Sequence, residues 1–199
     1  MKLWLGLSLI FLLGCTTTVK TETPDKPLVL IRTQLGDIYV ELYPRQAPVT
    51  VKNFLRYVDE NRFAEASFYR VVTKTNQPDK KVKIEVIQGG IGFVESDLRL
   101  PDIAHETTKK TGLRHRDGTI SMARREPGTA SSEFFICVGD MPELDFGSLR
   151  NPDGQGYAAF GQVVRGMDVV LKIQAGPEAE QMLVTPVKIL SIARIDNLP

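Results

Sequence analysis

From Leu28 onward the chain repeats one device: a short run rich in Val, Ile and Phe, stopped by Gly, Pro or Asp. The runs are "LVLIRTQLGDIYVELY", "ASFYRVV", "KIEVIQGG", "GTISMAR", "SSEFFICVG", "AAFGQVV" and "VKILSIARI". In "DIYVELY", Ile38, Val40 and Leu42 alternate with Tyr39, Glu41 and Tyr43, the period of a strand with one buried face. Two stretches carry a helical period instead. In "APVTVKNFLRYVDE", Val51, Phe54, Leu55 and Val58 recur at helical spacing behind Pro48, whose missing N–H has no intrahelical partner to lose in a first turn. A helix is therefore predicted over 48–59, and "GMDVVLKIQAG", bounded by glycines, is the second. Many short strands, two helices and no βαβ alternation point to a closed antiparallel barrel, because closure removes exposed edges.

The chain has 199 residues, and setting aside an N-terminal export segment leaves enough for one domain with a sizeable core. That segment reads "MKLWLGLSLIFLLGCTTTVK": one lysine, an apolar run from Leu3 to Leu13, then Gly14 and Cys15. The run is shorter than the roughly 20 residues of a permanent membrane span and fits a signal peptide. "LLGC" resembles the lipobox of bacterial lipoproteins, which implies lipidation of Cys15. The expected organisation is a signal peptide over 1–14, a lipidated N-terminus and polar tether over 15–27, and the folded domain over 28–199. The domain would then lie outside the cytoplasm, held to a membrane of the cell envelope. Thr16 in place of an aspartate favours the outer membrane. Cys137, among the apolar residues of "EFFICVG", is expected to be a buried, inert thiol.

Charge and composition exclude several functions. With 25 Lys and Arg against 24 Asp and Glu there is no global field for nucleic acid, and "RHR" and "ARR" lack interleaved aromatics. His105, Glu106 and His115 in "AHETTKKTGLRHR" do not have H-E-x-x-H spacing, so a polar network bracing a loop, or a solvated surface, is expected there and no metal site. Ser121 in "DGTISMA" lies outside any G-x-S-x-G motif, and no partner histidine is placed to activate it. The long segment "DMPELDFGSLRNPDGQG" resists regular structure, yet its Leu144 and Phe146 must pack somewhere.

Three residues on separate strands stand out. Alternation in "SFYRVV" puts Phe68, Arg70 and Val72 on one face and Tyr69 and Val71 on the other. In "EVIQGG", Val86 and Gln88 share a face ahead of two glycines; in "SSEFFIC", Glu133 and Phe135 share one. Arg70, Gln88 and Phe135 can thus converge on a small apolar hollow that offers no nucleophile and no acid/base pair. Such a site still suits rotation about an X-Pro bond, whose barrier of roughly 20 kcal/mol comes from amide resonance alone. The guanidinium would donate to the prolyl nitrogen, whose lone pair is released only as the bond twists, and no cofactor is needed.

Through "FYRVV", "VIQGG", "GTISMA", "SSEFFICVG", "LDFG" and "GYAAFGQVVRGMDVV" the chain resembles the cyclophilin family of peptidyl-prolyl isomerases from about Leu28 to Ile195. The resemblance implies an eight-stranded barrel capped by two helices, and proline-containing polypeptides as partners of a monomer. It implies catalytic Arg70, substrate contact by Gln88, a proline pocket of Val86, Phe135 and Leu144, a neighbouring strip at Ala123 and Arg124, and a rim at Tyr157. Many relatives carry Phe, Met, Gln, Asn, Trp and His where this chain has Glu85, Val86, Glu133, Arg124, Glu143 and Tyr157. Without that tryptophan the domain is expected to bind cyclosporin poorly. The acids Glu85, Glu133 and Glu143 suggest a preference for Lys or Arg near the proline. Two other functions compete: a module that holds proline segments with little turnover, and an envelope scaffold whose pocket would be occluded.

Overall fold

The computed structural model describes residues 25–92 and 95–199. The apolar run, Cys15 and most of the expected tether lie outside the described residues. In chain order the elements are β1 (Leu28–Thr33), β2 (Gly36–Leu42), α1 (Pro48–Asp59), β3 (Ser67–Val72), β4 (Val86–Gly90), α2 (Thr108–Thr111), β5 (Thr119–Met122), β6 (Phe134–Cys137), β7 (Ala158–Arg165), α3 (Met167–Gln174), β8 (Glu178–Ala179) and β9 (Met182–Ile195).

Hydrogen bonding runs β1-β2-β7-β5-β6-β4-β3-β9, and β9 returns to β1, so eight antiparallel strands form a closed barrel. The two-residue β8 lies outside this ring as a short hairpin with β9. Both predicted helices form, at Pro48–Asp59 and Met167–Gln174, and α2 adds a single turn. The two longer helices close opposite ends. α1 follows the last residue of β2, whereas Val169 of α3 packs so tightly on Gly36 at its start that a Cβ there would lie 2.7 Å from Val169 Cγ2.

Inward-facing residues of every barrel strand and the apolar stripes of α1 and α3 make one core. Phe54 of α1 sits at its centre, edge-on to Phe134 at 5.6 Å and tilted against Phe160 at 5.2 Å. Truncating such a ring to alanine costs about 3–5 kcal/mol. A second, smaller cluster lies on the outer face of the wall: Val72, Ile84, Val86, Phe135, Cys137, Met141 and Leu144, with Ala123 and Tyr157 against it.

The loop before β5 is braced by buried polar side chains. Glu106 accepts from the Thr50 N–H and hydroxyl, each at 2.8 Å, and from the Val49 N–H at 3.3 Å. It caps the first turn of α1 from 57 residues away, where the N-cap residue Ala47 has no side chain to do so. His105 donates toward Gln155 O at 3.2 Å. His115, 1% exposed, donates through Nδ1 to Asp145 Oδ1 at 2.8 Å, and its Nε2 meets Ser121 Oγ at 2.9 Å. This corrects the expectation for Ser121: a histidine is within reach, brought there by the chain reversal between Arg116 and Thr119. Ser121 is wholly buried, so the trio ties β5 to the loop after β6 and presents nothing to a substrate.

Candidate active site

The outer cluster floors a groove of about 550 Å³, open to solvent, so the occluded scaffold is excluded. Phe135 forms its base. Tyr157 stands edge-on to it at 5.3 Å and 88°, and His115 stacks behind at 6.0 Å and 18°. Ile84, Val86, Leu144 and Ala123 complete the apolar part of the lining. Leu144 reaches it through a 3-10 turn at Pro142–Leu144, which turns the long loop back onto the wall.

Arg70 lies at the edge of this hollow, but not as strict alternation predicts. Phe68 pairs with Gly89 and Arg70 with Gln88, which leaves Tyr69 as an extra residue in a β-bulge. The bulge turns Phe68 and Val71 into the barrel while Arg70 and Val72 face outward with Gln88 and Val86. The glycines after Gln88 allow the strands to approach closely. A Cβ on Gly89 would lie 2.7 Å from Ser67 O, and one on Gly90 would lie 2.5 Å from Glu133 Oε2.

The guanidinium is held by neutral acceptors. Nη1 donates to Gln88 Oε1 at 2.8 Å, Nε to Gln181 Oε1 at 3.2 Å, and Nη2 to the same Gln181 oxygen. Three of its five N–H bonds are thereby used, and among the described residues no carboxylate lies within ion-pair distance of it. Burial lowers its pKa, slightly offset by Tyr157 and Tyr69. It remains a cation at neutral pH, with two donors uncommitted at the groove.

Nothing in the sequence marks Gln181 for this role. It belongs to the turn between β8 and β9, at φ 72°, 111 residues from Arg70. The turn is fastened by Gln181 N–H to Glu178 Oε2 at 2.6 Å, Gln181 Nε2 to Asn76 O at 2.9 Å and Val71 N–H to Gln181 O at 2.8 Å.

Glu133 and Arg124, which also line the groove, are engaged by neighbouring groups. Glu133 accepts from the Tyr69 hydroxyl, from Ser132 Oγ at 2.9 Å and from the Gly92 N–H at 3.1 Å, with Arg99 at 3.8 Å. Burial raises its pKa above its ordinary value, more than these donors pull it down. Arg124 turns its guanidinium into Asp153, at 2.7 and 2.9 Å, and into Gly156 O; its side chain is 1% exposed. The same guanidinium covers the Tyr157 ring at 5.3 Å, so Arg124 braces the rim loop.

An acidic rim does not form. Glu85 pairs with Lys74 at 3.3 Å, Glu133 is enclosed, and Glu143 is absent from the lining. The charges that line the groove are Arg70, Arg99, Arg124 and Arg125 against Asp102 and Glu133. Cys137 is fully buried beneath the floor, and burial pushes its thiol well above the ordinary value.

Comparison with known proteins bears directly on this groove. The family described as cyclophilin type peptidyl-prolyl cis-trans isomerase/CLD matches residues 28–194. A peptidyl-prolyl cis-trans isomerase of Acinetobacter baylyi is 36% identical over 173 residues, covering 83% of this chain and 84% of that protein. Peptidyl-prolyl cis-trans isomerase B of Escherichia coli is 37% identical over 155 residues, covering 74% and 84%. Among solved structures, a cyclophilin type peptidyl-prolyl cis-trans isomerase of Cryptosporidium parvum superposes with a TM-score of 0.68 at 23% identity, covering 87% of this chain and 99% of that one, a likeness of fold.

Proposed function

The chain belongs to the cyclophilin-type peptidyl-prolyl isomerase family and is an enzyme of X-Pro isomerisation, and on that premise we propose that Arg70 catalyses the rotation by donating to the prolyl nitrogen over the Phe135 hollow. One observation carries this mechanism: a half-buried guanidinium that, among the described residues, is held by amide oxygens alone, with two N–H bonds uncommitted beside an apolar pocket.

In a planar X-Pro amide the nitrogen lone pair is delocalised into the carbonyl and is a poor acceptor. As the bond twists, the lone pair localises, and a donor already in place gains a hydrogen bond that neither ground state offers. Val86, Phe135 and Leu144 would hold the pyrrolidine ring, with Tyr157 at its edge and Ala123 and the main chain of Arg124 beside the preceding residue. Gln88 would keep Arg70 in register. A charge-assisted bond of this kind contributes about 1.5–3 kcal/mol, roughly ten- to a hundredfold in rate, and confinement of the ring supplies the remainder.

Isomerisation of an X-Pro peptide followed by NMR exchange tests it. Arg70→Ala should lower kcat by about tenfold or more with peptide affinity nearly kept. Arg70→Lys, a point charge without the planar fork, should recover only part. Undiminished kcat in Arg70→Ala would refute the mechanism.

We also propose a signal peptide and lipid attachment at Cys15, which would tether the enzyme at the envelope near exported chains. Support comes from the apolar run and "LLGC". Among the described residues no helix is long and apolar enough to cross a membrane. Membrane partition of the full chain, lost in Cys15→Ser, tests the tether.

A further inference from the structure

Three hydrogen bonds link the carboxylate of Glu133 to the guanidinium of Arg70. Tyr69 donates to Glu133 Oε2 at 2.5 Å, Gln88 Nε2 donates to the Tyr69 hydroxyl at 2.9 Å, and Arg70 Nη1 donates to Gln88 Oε1 at 2.8 Å. We propose that Glu133 and Tyr69 are positioning residues that fix the direction of this chain, so that Gln88 turns its carbonyl and not its NH₂ toward Arg70.

A phenol has one proton, and an ionised carboxylate can only accept. With Glu133 taking that proton, the Tyr69 oxygen offers Gln88 nothing but lone pairs. Only Nε2 can meet them, which leaves Oε1 for the guanidinium. If the phenol proton pointed at Gln88 instead, the amide could turn over and set its donors against those of Arg70. Gln88 is 5% exposed, so water would not repair that mismatch.

The fold builds a seat for the carboxylate. Gly90, at φ 146°, leaves the space that a Cβ would take from Glu133, and the Gly92 N–H and Ser132 hydroxyl occupy Oε1. Among the described residues, the titratable and charged groups in contact with it are Tyr69 from β3 and Arg99 from the loop before α2. Burial raises the pKa of Glu133 and pushes the Tyr69 phenol far above its ordinary value, so acidification protonates the carboxylate and leaves the phenol intact. A protonated Glu133 no longer compels the phenol proton, and the direction of the chain is lost. The proposal rests on Arg70 being the catalytic donor.

Measuring kcat and KM by NMR exchange from about pH 4, below the ordinary carboxylate value, up to about pH 8 tests it on the wild type, Tyr69→Phe and Glu133→Gln. Wild-type kcat should fall as the pH is lowered through the titration of Glu133. Tyr69→Phe should lose about three- to tenfold in kcat at the upper pH, hold KM within about twofold, and show no acid fall. Glu133→Gln should also lack the acid fall, with an intermediate kcat, because its amide accepts the phenol proton in only one of two orientations. Wild-type kcat in Tyr69→Phe, a flat wild-type profile, or an unchanged acid fall in both variants would overturn the proposal. Thermal melting checks the folds, and should Tyr69→Phe unfold, the near-isosteric Glu133→Gln carries the test alone. Arg70→Ala, run in parallel, separates the two readings. If it too is fully active the donor mechanism fails; if it is inactive while Tyr69→Phe matches the wild type, only the relay fails.

Discussion

Replacing Gln181 with glycine should separate the activity of the groove from the stability of its frame. At φ 72° an L side chain costs about 1 kcal/mol, which glycine does not incur. Against this stands the loss of one carbonyl oxygen that accepts from Arg70 Nε at 3.2 Å and from Nη2, and of the bond from Nε2 to Asn76 O. A hydrogen bond to a charged group contributes about 1.5–3 kcal/mol, and the lower end applies because Gln181 is half-exposed and water can replace it. The two bonds made by the main chain of residue 181, its N–H to Glu178 Oε2 and its carbonyl from Val71 N–H, do not need its side chain. Folding stability should therefore move little, with Tm within about 3 °C of the wild type. Arg70 would keep Gln88 but lose its second anchor, and about 1.5 kcal/mol of lost positioning corresponds to about a tenfold fall in kcat/KM. The assays are isomerisation of an X-Pro peptide by NMR exchange and thermal unfolding by circular dichroism. Wild-type kcat/KM in a folded Gln181→Gly would refute the reasoning, as would a large loss of Tm that accounts for the lost activity.

Other outcomes follow from the same contacts. Because burial raises the folded pKa of Glu133, the folded state holds its proton more tightly than the unfolded one, and stability falls as pH rises through that window; Glu133→Gln should raise Tm at pH 7 even as kcat drops. Asp145 behaves oppositely: burial works to raise its pKa, but the bonds from His115 and Arg114 outweigh it and hold the carboxylate below its ordinary value. Its contribution is present above the unfolded pKa and lost as pH falls through the folded one, so His115→Ala should cost about 1–3 kcal/mol at pH 7 and move acid unfolding to higher pH in a circular dichroism titration. The arginines lining the groove should make peptides with an acidic residue beside the proline better substrates than basic ones, by no more than about fivefold at low salt. Equal kcat/KM for the two, or a preference that survives about 0.5 M salt, would count against that assignment.

The barrel was legible because its evidence is local. Alternation in "DIYVELY", the spacing behind Pro48 and the glycine-bounded run around Val169 each state a period that tertiary packing then uses. The convergence of Arg70, Gln88 and Phe135 was legible for a similar reason, since all three sit on short strands that pair in register, Arg70 with Gln88 and Gln88 with Phe135. The bulge at Tyr69 was not, because one extra residue leaves no mark in composition while it reverses the face of Phe68. Gln181 and Glu106 lay further out of reach, as each acts across more than fifty residues on a group that only the closed barrel brings near. Glu85, Glu133 and Glu143 do not form an acidic rim because of pairing and burial, neither of which a residue count reveals.

The distance from the Arg70 guanidinium to the prolyl nitrogen of a bound X-Pro peptide tests the central claim most directly, read from a crystal structure of the complex. The account predicts the pyrrolidine ring on Phe135, between Val86 and Leu144, with an Arg70 Nη within about 3.5 Å of that nitrogen. A proline seated elsewhere in the groove, or a guanidinium still bound to Gln88 and Gln181 but turned from the peptide, would contradict it.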